Sequence, residues 1–439
     1  MQPQKNYHSY GLIMITNSSV MCYLLLYYTI PSRQEIFSIL SILFLLFVCY
    51  IYYLKQLSNS TEINSVFLKI GIALRFLPLL SIPLLSDDFY RFIWDGQLLA
   101  HKINPFVHLP SDIMENSSAW VDSYLYRKMN SPSYHSVYPP VNQFIFWLSS
   151  LAGKGNILIS VIILRLCIVA FDIGNLFLIR KILQHQNQNP NLIYIYALNP
   201  LVIIEFAWNL HFEAAMIFFT LLSVWLILKN RNDLSALSLA MAICSKLIPL
   251  VFIPLLIKQI GWIRTIKYGF IVLSTTLILF YPFINSIQLL NNLFTSLKLY
   301  YGTFEYNGSF YQLFKYLGWE YFGYNPIYYT SKLLLLLTLS GFVIVYIKSK
   351  NLFEGIFMLL FVYSAFSAIV HPWYILPMVA FTPFVKWRFA IVWSALIGLS
   401  YYTYRMVPYQ ESTILVILQY TFLLGFILYE VTFKPKVEG

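Results

Sequence analysis

"IFSILSILFLLFVCYIYYL" runs from Ile36 to Leu54 with no charged residue and without the apolar/polar alternation of a half-buried strand. It is long enough to cross a hydrocarbon core of roughly 30 Å as a helix, which takes about 17 to 25 residues. Runs of the same kind recur to the other end of the chain, for example "ILVILQYTFLLGFILY" at Ile414 to Tyr429. A membrane β-barrel would show alternating segments of about ten residues instead. The expected fold class is therefore all-α: a polytopic transmembrane helical bundle.

Composition agrees. Hydrophobic residues make up 59% of the 439 and charged residues 11%, with a mean hydropathy of +0.67, far from the balance of a soluble domain. The net charge of +11 comes from basic residues placed singly or in pairs between apolar runs. That is no nucleic-acid stripe, so no nucleic-acid partner is expected. Cys22, Cys49, Cys167 and Cys244 all lie inside apolar segments, where they act as small hydrophobes. The first apolar run is interrupted by Asn17, Ser18 and Ser19 and reads as a retained helix, not a cleaved leader.

Crossings are expected near 11–30, 36–54, 66–86, 157–181, 191–207, 210–228, 232–248, 249–259, 262–283, 331–348, 353–370, 372–386, 388–405 and 413–432. Some are short enough to be half-helices, which sets the count at 11 to 14. With the N-terminus inside, one face collects Lys5, Lys55, Arg180, Lys181, Lys229, Arg231, Lys258, Arg264, Lys267, Lys348, Lys350, Lys386, Arg388, Lys434 and Lys436, as cytoplasmic loops do. This orientation requires residues 138–152, "YPPVNQFIFWLSSLA", to form an interfacial helix and not a crossing. Residues 1–439 then form one membrane domain carrying two long non-cytoplasmic segments, 87–156 and 284–330. No internal repeat is visible.

The first of those segments opens with "LLSDDFYRFIWDGQLLAHKINPF", Leu84 to Phe106. On a helix Asp87, Arg91 and Asp95 share a face, flanked by Asp88 and Trp94, while Phe89, Phe92 and Ile93 point elsewhere. An amphipathic helix at the membrane surface is expected, with Gly96 as its weak point. Solvated carboxylates paired with Arg91 are the plain explanation. The chemical one is that carboxylates beyond a membrane helix take a proton from a hydroxyl while a cation holds a phosphate.

Ionisable groups at membrane depth are costly and face a cavity or a partner. Arg165, Asp172, Glu205, His211, Glu213, Lys246, His371 and Arg405 are such groups. Arg165 and Asp172 suit pairing with neighbouring helices, and Lys246 suits either a phosphate or snorkelling. His211 and His371 lie at outer span ends. Neither an HExxH nor a paired-cysteine pattern occurs, and Asp87 with Asp88 is a weak metal motif, so no cofactor is expected, while a divalent metal stays open without being indicated. Most tryptophans fit the interfacial belt, and some could stack on a sugar.

"SDDFYRFIWDG", "INPF" and "YPPVNQ", followed in order by "ALNPLVIIEFAWNLHFEAAM", "CSKLIPLVFIPLL", "YNGSFYQLF" and "HPWYILP", resemble the GT-C superfamily of membrane glycosyltransferases, in particular bacterial polyprenyl-phosphate-mannose-dependent mannosyltransferases. The resemblance implies transfer of a hexose, mannose in that group, with inversion, from a polyprenyl-phosphate donor to a glycan or lipid-linked acceptor. It carries the acidic base onto Asp87 or Asp88, and either can serve. It makes Arg91, Lys246 and Arg405 candidates for the donor phosphate and puts Trp94, Asp95, Tyr138, His211, Glu213 and His371 at the substrate. One departure stands out: simple members of the superfamily place the acidic loop after the first helix, whereas here it follows the third.

The richness in Asn, Lys, Ile and Tyr points to an AT-rich bacterial genome, hence to the inner membrane, a cytoplasmic N-terminus and a site facing the periplasm or exterior. The sequons at Asn17, Asn59, Asn116 and Asn307 then carry no weight. Two other functions fit such a chain: a transporter or flippase of lipid-linked saccharides, which repeat symmetry and cytoplasmic access would favour, and an envelope scaffold, in which Asp87 and Asp88 would tolerate substitution.

Overall fold

The computed structural model describes residues 4–57, 65–115, 122–284, 291–292, 295–296 and 304–433. Lys434, Lys436, Asn59, Asn116 and parts of segments 87–156 and 284–330 lie outside the described residues. Helices dominate. Among the described residues no strand forms, only isolated bridges from Tyr306 and Asn307 to Ile369.

Six helices are long and apolar enough to cross a membrane by length and composition: Gly11–Tyr28, Ile36–Leu57, Ile157–His185, Trp262–Phe283, Ile327–Lys348 and Thr413–Phe433. A bent pair, Pro190–Ala197 and Pro200–Trp208, meeting at 55°, passes the same test jointly and forms either a broken span or a re-entrant loop. Five further apolar helices run 10–17 residues: Ser65–Leu74, Glu213–Leu228, Asn232–Ile243, Ile248–Ile260 and Leu352–Ala365. The protein is thus an all-α polytopic helical membrane protein in which full-length crossings are fewer than the 11 to 14 expected spans.

Proline explains most of the shortfall, since it removes a backbone donor and clashes with the preceding turn. The segment expected to cross at 66–86 is helical only over Ser65–Leu74. It then proceeds in turns past Pro78 and Pro83 to the next helix at Asp88. Residues 249–259 are largely 3₁₀ helix containing Pro254. Residues 372–386 break into a 3₁₀ turn, a six-residue helix and another 3₁₀ turn, with Pro372, Pro377 and Pro383 at their starts.

Broken helices need partners for their freed carbonyls. Arg165, on the Ile157–His185 helix, supplies them. Its guanidinium donates to the carbonyls of Ala207 (2.5 Å), Trp208 (3.4 Å) and Leu79 (2.9 Å). Two turns along, Asp172 accepts from Arg75 Nε at 2.6 Å and from the Tyr196 hydroxyl at 2.6 Å. Arg165 and Asp172 do serve neighbouring segments, and Arg75 completes a buried pair that the sequence reading passed over.

The Asp88–Ala100 helix packs across the Pro140–Gly153 helix at Gly96, where a Cβ would run into the Phe146 carbonyl oxygen. Gly96 is therefore the point of closest approach and not a weak point. The Ser150 hydroxyl also bonds the Ile93 carbonyl across this contact, at 3.1 Å. Segment 87–156 touches both the second long segment and the helix before it: the Tyr134 and Phe304 rings meet edge to face at 5.5 Å, and Asn104 Nδ2 donates to the Phe283 carbonyl at 2.6 Å. Basic loop residues gather elsewhere, with Lys267 on Asp233 at 2.8 Å and Lys258 on the Ser349 carbonyl at 3.2 Å.

Candidate active site

Asp87 and Asp88 diverge. Asp87 precedes the helix with φ −97° and ψ 0°, outside the helical register. Its carboxylate turns to Arg33, in the short connection between the first two long helices. Arg33 Nη2 donates to both Asp87 oxygens, at 2.9 and 2.6 Å. The guanidinium carbon lies 5.2 Å from the Tyr404 ring and 5.5 Å from that of Tyr409, which fixes its plane by cation–π attraction.

Asp88, the first helical residue, accepts from Asn130 Nδ2 at 2.8 Å. Burial pushes its carboxyl up to about 6. The Asn130 bond opposes that rise, the charges of Asp87 and Glu213 add to it, and Lys246 opposes it. Asp88 therefore stands within the field of two ion pairs, Arg33–Asp87 and Lys246–Glu213.

The expected common face of Asp87, Arg91 and Asp95 is only half formed. Arg91 Nε bonds Asp95 at 2.7 Å with both side chains buried, and Arg91 Nη1 holds the carbonyls of Ser131 and Tyr134 at 2.8 and 2.9 Å. Asp95 also accepts from Ser136 and from Gln143, the latter at 3.0 Å. These two residues pin the returning loop under the helix, so Asn130 arrives beside Asp88. Trp94 is buried against Tyr126, with centroids 6.1 Å apart. Tyr138 packs edge to face on Phe92 at 5.0 Å and on Phe146 at 5.5 Å.

The other wall is built where the bent pair ends. Ile204–Trp208 is a single π turn, a feature that recurs at functional sites. Leu210 follows at φ +67°, a strained value for a branched residue. The hard turn brings His211 back so that its backbone N–H bonds the Glu205 carbonyl at 3.0 Å. It also aims Glu213 at Lys246, whose ammonium lies over the Tyr374 ring at 4.3 Å from the centroid.

Four rings continue this wall. His211 stacks on Trp373 at 3.6 Å, Trp373 on His371 at 4.3 Å and His371 on Tyr306 at 4.5 Å. Tyr306 is delivered by backbone pairing: its N–H donates to the Ala368 carbonyl at 3.0 Å, and its carbonyl accepts from Val370 at 2.7 Å. Behind the column Glu205 accepts from Asn209 Nδ2 at 3.2 Å. His211 Nε2 lies 3.1 Å from Glu205 Oε2, yet neither atom has an aligned hydrogen bond, and His371 Nδ1 is likewise buried without one.

Arg405 stands apart. It is exposed and donates to the Tyr402 hydroxyl at 2.6 Å over that ring. Among the described residues no three His, Cys, Asp or Glu come together to hold a metal ion. The arrangement thus gathers Asp87, Asp88, His211, Glu213, Lys246 and His371 around one region. Arg91, Trp94, Asp95 and Tyr138 lie beneath it as support. Arg33, Asn130, Tyr306, Tyr374 and Tyr404 were given no role from the sequence. Arg33 had one signal, a cation in a short loop on the face that should carry few.

Two cation–carboxylate pairs, Arg33–Asp87 and Lys246–Glu213, thus flank Asp88 in a helical membrane protein. Residues 14–262, more than half of the chain, match the family described as "Alpha-(1->6)-mannopyranosyltransferase, N-terminal domain". The chain belongs to that family. It is also similar to "Alpha-(1->6)-mannopyranosyltransferase A" of Mycobacterium tuberculosis (strain ATCC 25618 / H37Rv), 24% identical over 192 residues. That stretch covers 43% of this chain and 35% of the relative, so about a third of the relative's length is matched. No solved structure matches.

Proposed function

We propose that the protein is an inverting mannosyltransferase that moves mannose from a polyprenyl-phosphate donor to a hydroxyl of a glycan or lipid-linked acceptor, on the non-cytoplasmic face of a bacterial inner membrane. The observation that carries this reading is Asp88: a carboxylate with a single neutral hydrogen bond, raised to about 6 and set between two cation–carboxylate pairs. A base near the working pH combines availability with driving force, whereas both carboxylate oxygens of Asp87 are already engaged by Arg33.

Asp88 takes the proton of the acceptor hydroxyl as its oxygen bonds to C1 of the sugar. The bond from C1 to the phosphate oxygen breaks, and its electron pair leaves on the phosphate. Charge growing there requires a cation. Of the three cations the resemblance suggested, Lys246 is 30% exposed and acts on Asp88, Arg91 is committed to Asp95 and the loop, and Arg405 is exposed with its guanidinium on Tyr402. The His211–Trp373–His371–Tyr306 wall, with buried polar atoms still able to bond, suits a sugar. An α linkage made with inversion requires a β-linked donor.

Transfer of labelled mannose from synthetic polyprenyl-phosphate-mannose by reconstituted protein tests the reading. Turnover by wild type, lost in Asp88→Asn with donor binding kept, supports it. Inactivity across a panel of donors and acceptors, with lipid-linked saccharide crossing the bilayer instead, replaces it with transport. Cysteine labelling that puts residues 110–130 in the cytoplasm overturns the orientation.

A further inference from the structure

We infer that Arg33 is a seat for the phosphate of the lipid-borne donor, and that Asp87 is the counter-ion it holds until that phosphate arrives. The inference rests on the reading of the site as one for a polyprenyl-phosphate sugar. Three observations lead to it. Arg33 comes from the connection between the first two long helices and reaches Asp87 from outside the acidic loop, so its position does not depend on that loop.

Only Nη2 is engaged: it serves both Asp87 oxygens, while Nε and Nη1 have no hydrogen bond among the described residues. The Arg33 side chain is 21% exposed and that of Asp87 23%, in contrast to the sealed Arg91–Asp95 pair. Lastly, the guanidinium carbon lies over the Tyr404 and Tyr409 rings, contacts that occupy none of its N–H groups in a hydrogen bond.

A guanidinium fork matches two oxygens of a phosphate as well as those of a carboxylate. Exchange of one anion for the other needs no rearrangement of the tyrosines. It leaves Arg33 to meet the charge that develops on the leaving phosphate, and it releases the Asp87 carboxylate next to Asp88, where it can accept from a sugar hydroxyl. Lys246 remains with Glu213 on the other side of Asp88. The lipid phosphate thus exposes a carboxylate that is otherwise masked.

The test is equilibrium binding of undecaprenyl phosphate and of undecaprenol to the full chain in nanodiscs, with no sugar present. Wild type is expected to prefer the phosphate lipid by about tenfold, the scale of one charge-assisted contact. Arg33→Gln should erase that preference and Arg33→Lys retain part of it. Asp87→Asn should bind the phosphate lipid several-fold more tightly than wild type, because the competing carboxylate is gone.

Unchanged preference in Arg33→Gln overturns the inference. If that variant does not fold, Asp87→Asn decides, since weaker phosphate binding there means that the acid supports the site and does not compete for it. Sugar transfer is scored separately, so wild type that binds the phosphate lipid through Arg33 yet transfers nothing sinks the proposed activity and leaves the seat standing.

Discussion

His211 and Trp373 lie face to face, ring centroids 3.6 Å apart and planes 16° from parallel, brought together from opposite halves of the chain. Each owes its place to irregular backbone: His211 to the π turn and the strained Leu210, Trp373 to the 3₁₀ turn after His371. Trp373→Ala removes the ring that holds both histidines. It should cost about 3–5 kcal/mol and abolish transfer, while Trp373→Phe recovers most of the stability. Thermal unfolding of the solubilised protein measures the first effect and labelled transfer the second; an alanine variant that melts with wild type would show that the column is not packed.

Asp88 sets the pH dependence of transfer. Its carboxyl is raised from 3.8 to about 6, chiefly by burial, and must be ionised to accept a proton. Transfer should climb through about pH 6 and level off above it. Asn130→Ala removes a bond that favours the ionised form, so its acid limb moves to higher pH. A wild-type profile flat from pH 5 to 8 would exclude Asp88 as the base.

Stability has the opposite sign at the same residue. Because the folded value is the higher one, the protonated carboxyl favours the fold below about pH 4, and that contribution fades as pH rises through about 6. The displacement from 3.8 to about 6 corresponds to roughly 3 kcal/mol at most. At pH 7 Asp88→Asn should melt at or above the wild-type temperature while its transfer falls by about 10²–10⁴-fold. A strongly destabilised variant would make Asp88 a structural residue.

Arg75 and Asp172 are both fully buried and 2.6 Å apart. Asp172→Asn leaves a buried cation without its counter-charge and should cost about 3–5 kcal/mol, whereas Arg75→Met with Asp172→Leu should cost less than either single change. Unfolding midpoints of Asp172→Asn, of Arg75→Met and Asp172→Leu alone, and of the double variant decide it. Additive losses would show that the pair is not coupled.

Gly96 has no room for a side chain, because a Cβ would meet the Phe146 carbonyl. Gly96→Ala should destabilise by about 1–3 kcal/mol through overpacking and push the acidic helix off its neighbour. Transfer should then fall more than donor binding. Wild-type turnover in this variant would mean that the helix contact does not set the position of Asp88.

Much of this was legible in the residues. Uninterrupted apolar runs such as Ile36–Leu54 gave the all-α membrane class, and Asp87 and Asp88 stood out because charge is scarce around them. What escaped depends on where the chain breaks. Hydropathy does not register Pro78, Pro83 or Pro254, so apolar stretches read as full crossings. Helical spacing placed Asp87 with Arg91, yet Asp87 sits before the helix and its partner comes from another loop. No local pattern announces Tyr306, and Arg33 stands out only as a cation in a short loop, since each meets the site only through tertiary contact.

The grip of Arg165 on the carbonyls of Ala207, Trp208 and Leu79 also imposes an order of assembly. A bent segment in hydrocarbon cannot leave those oxygens bare, so the Pro200–Trp208 stretch has no stable form until the Ile157–His185 helix stands beside it. The Ile157–His185 helix is therefore expected to be in place before the kinked stretch settles against it. A lesion at Arg165 would then be expected to surface during biogenesis, as nascent chain cleared by membrane proteases, before any finished protein could show a fault in turnover.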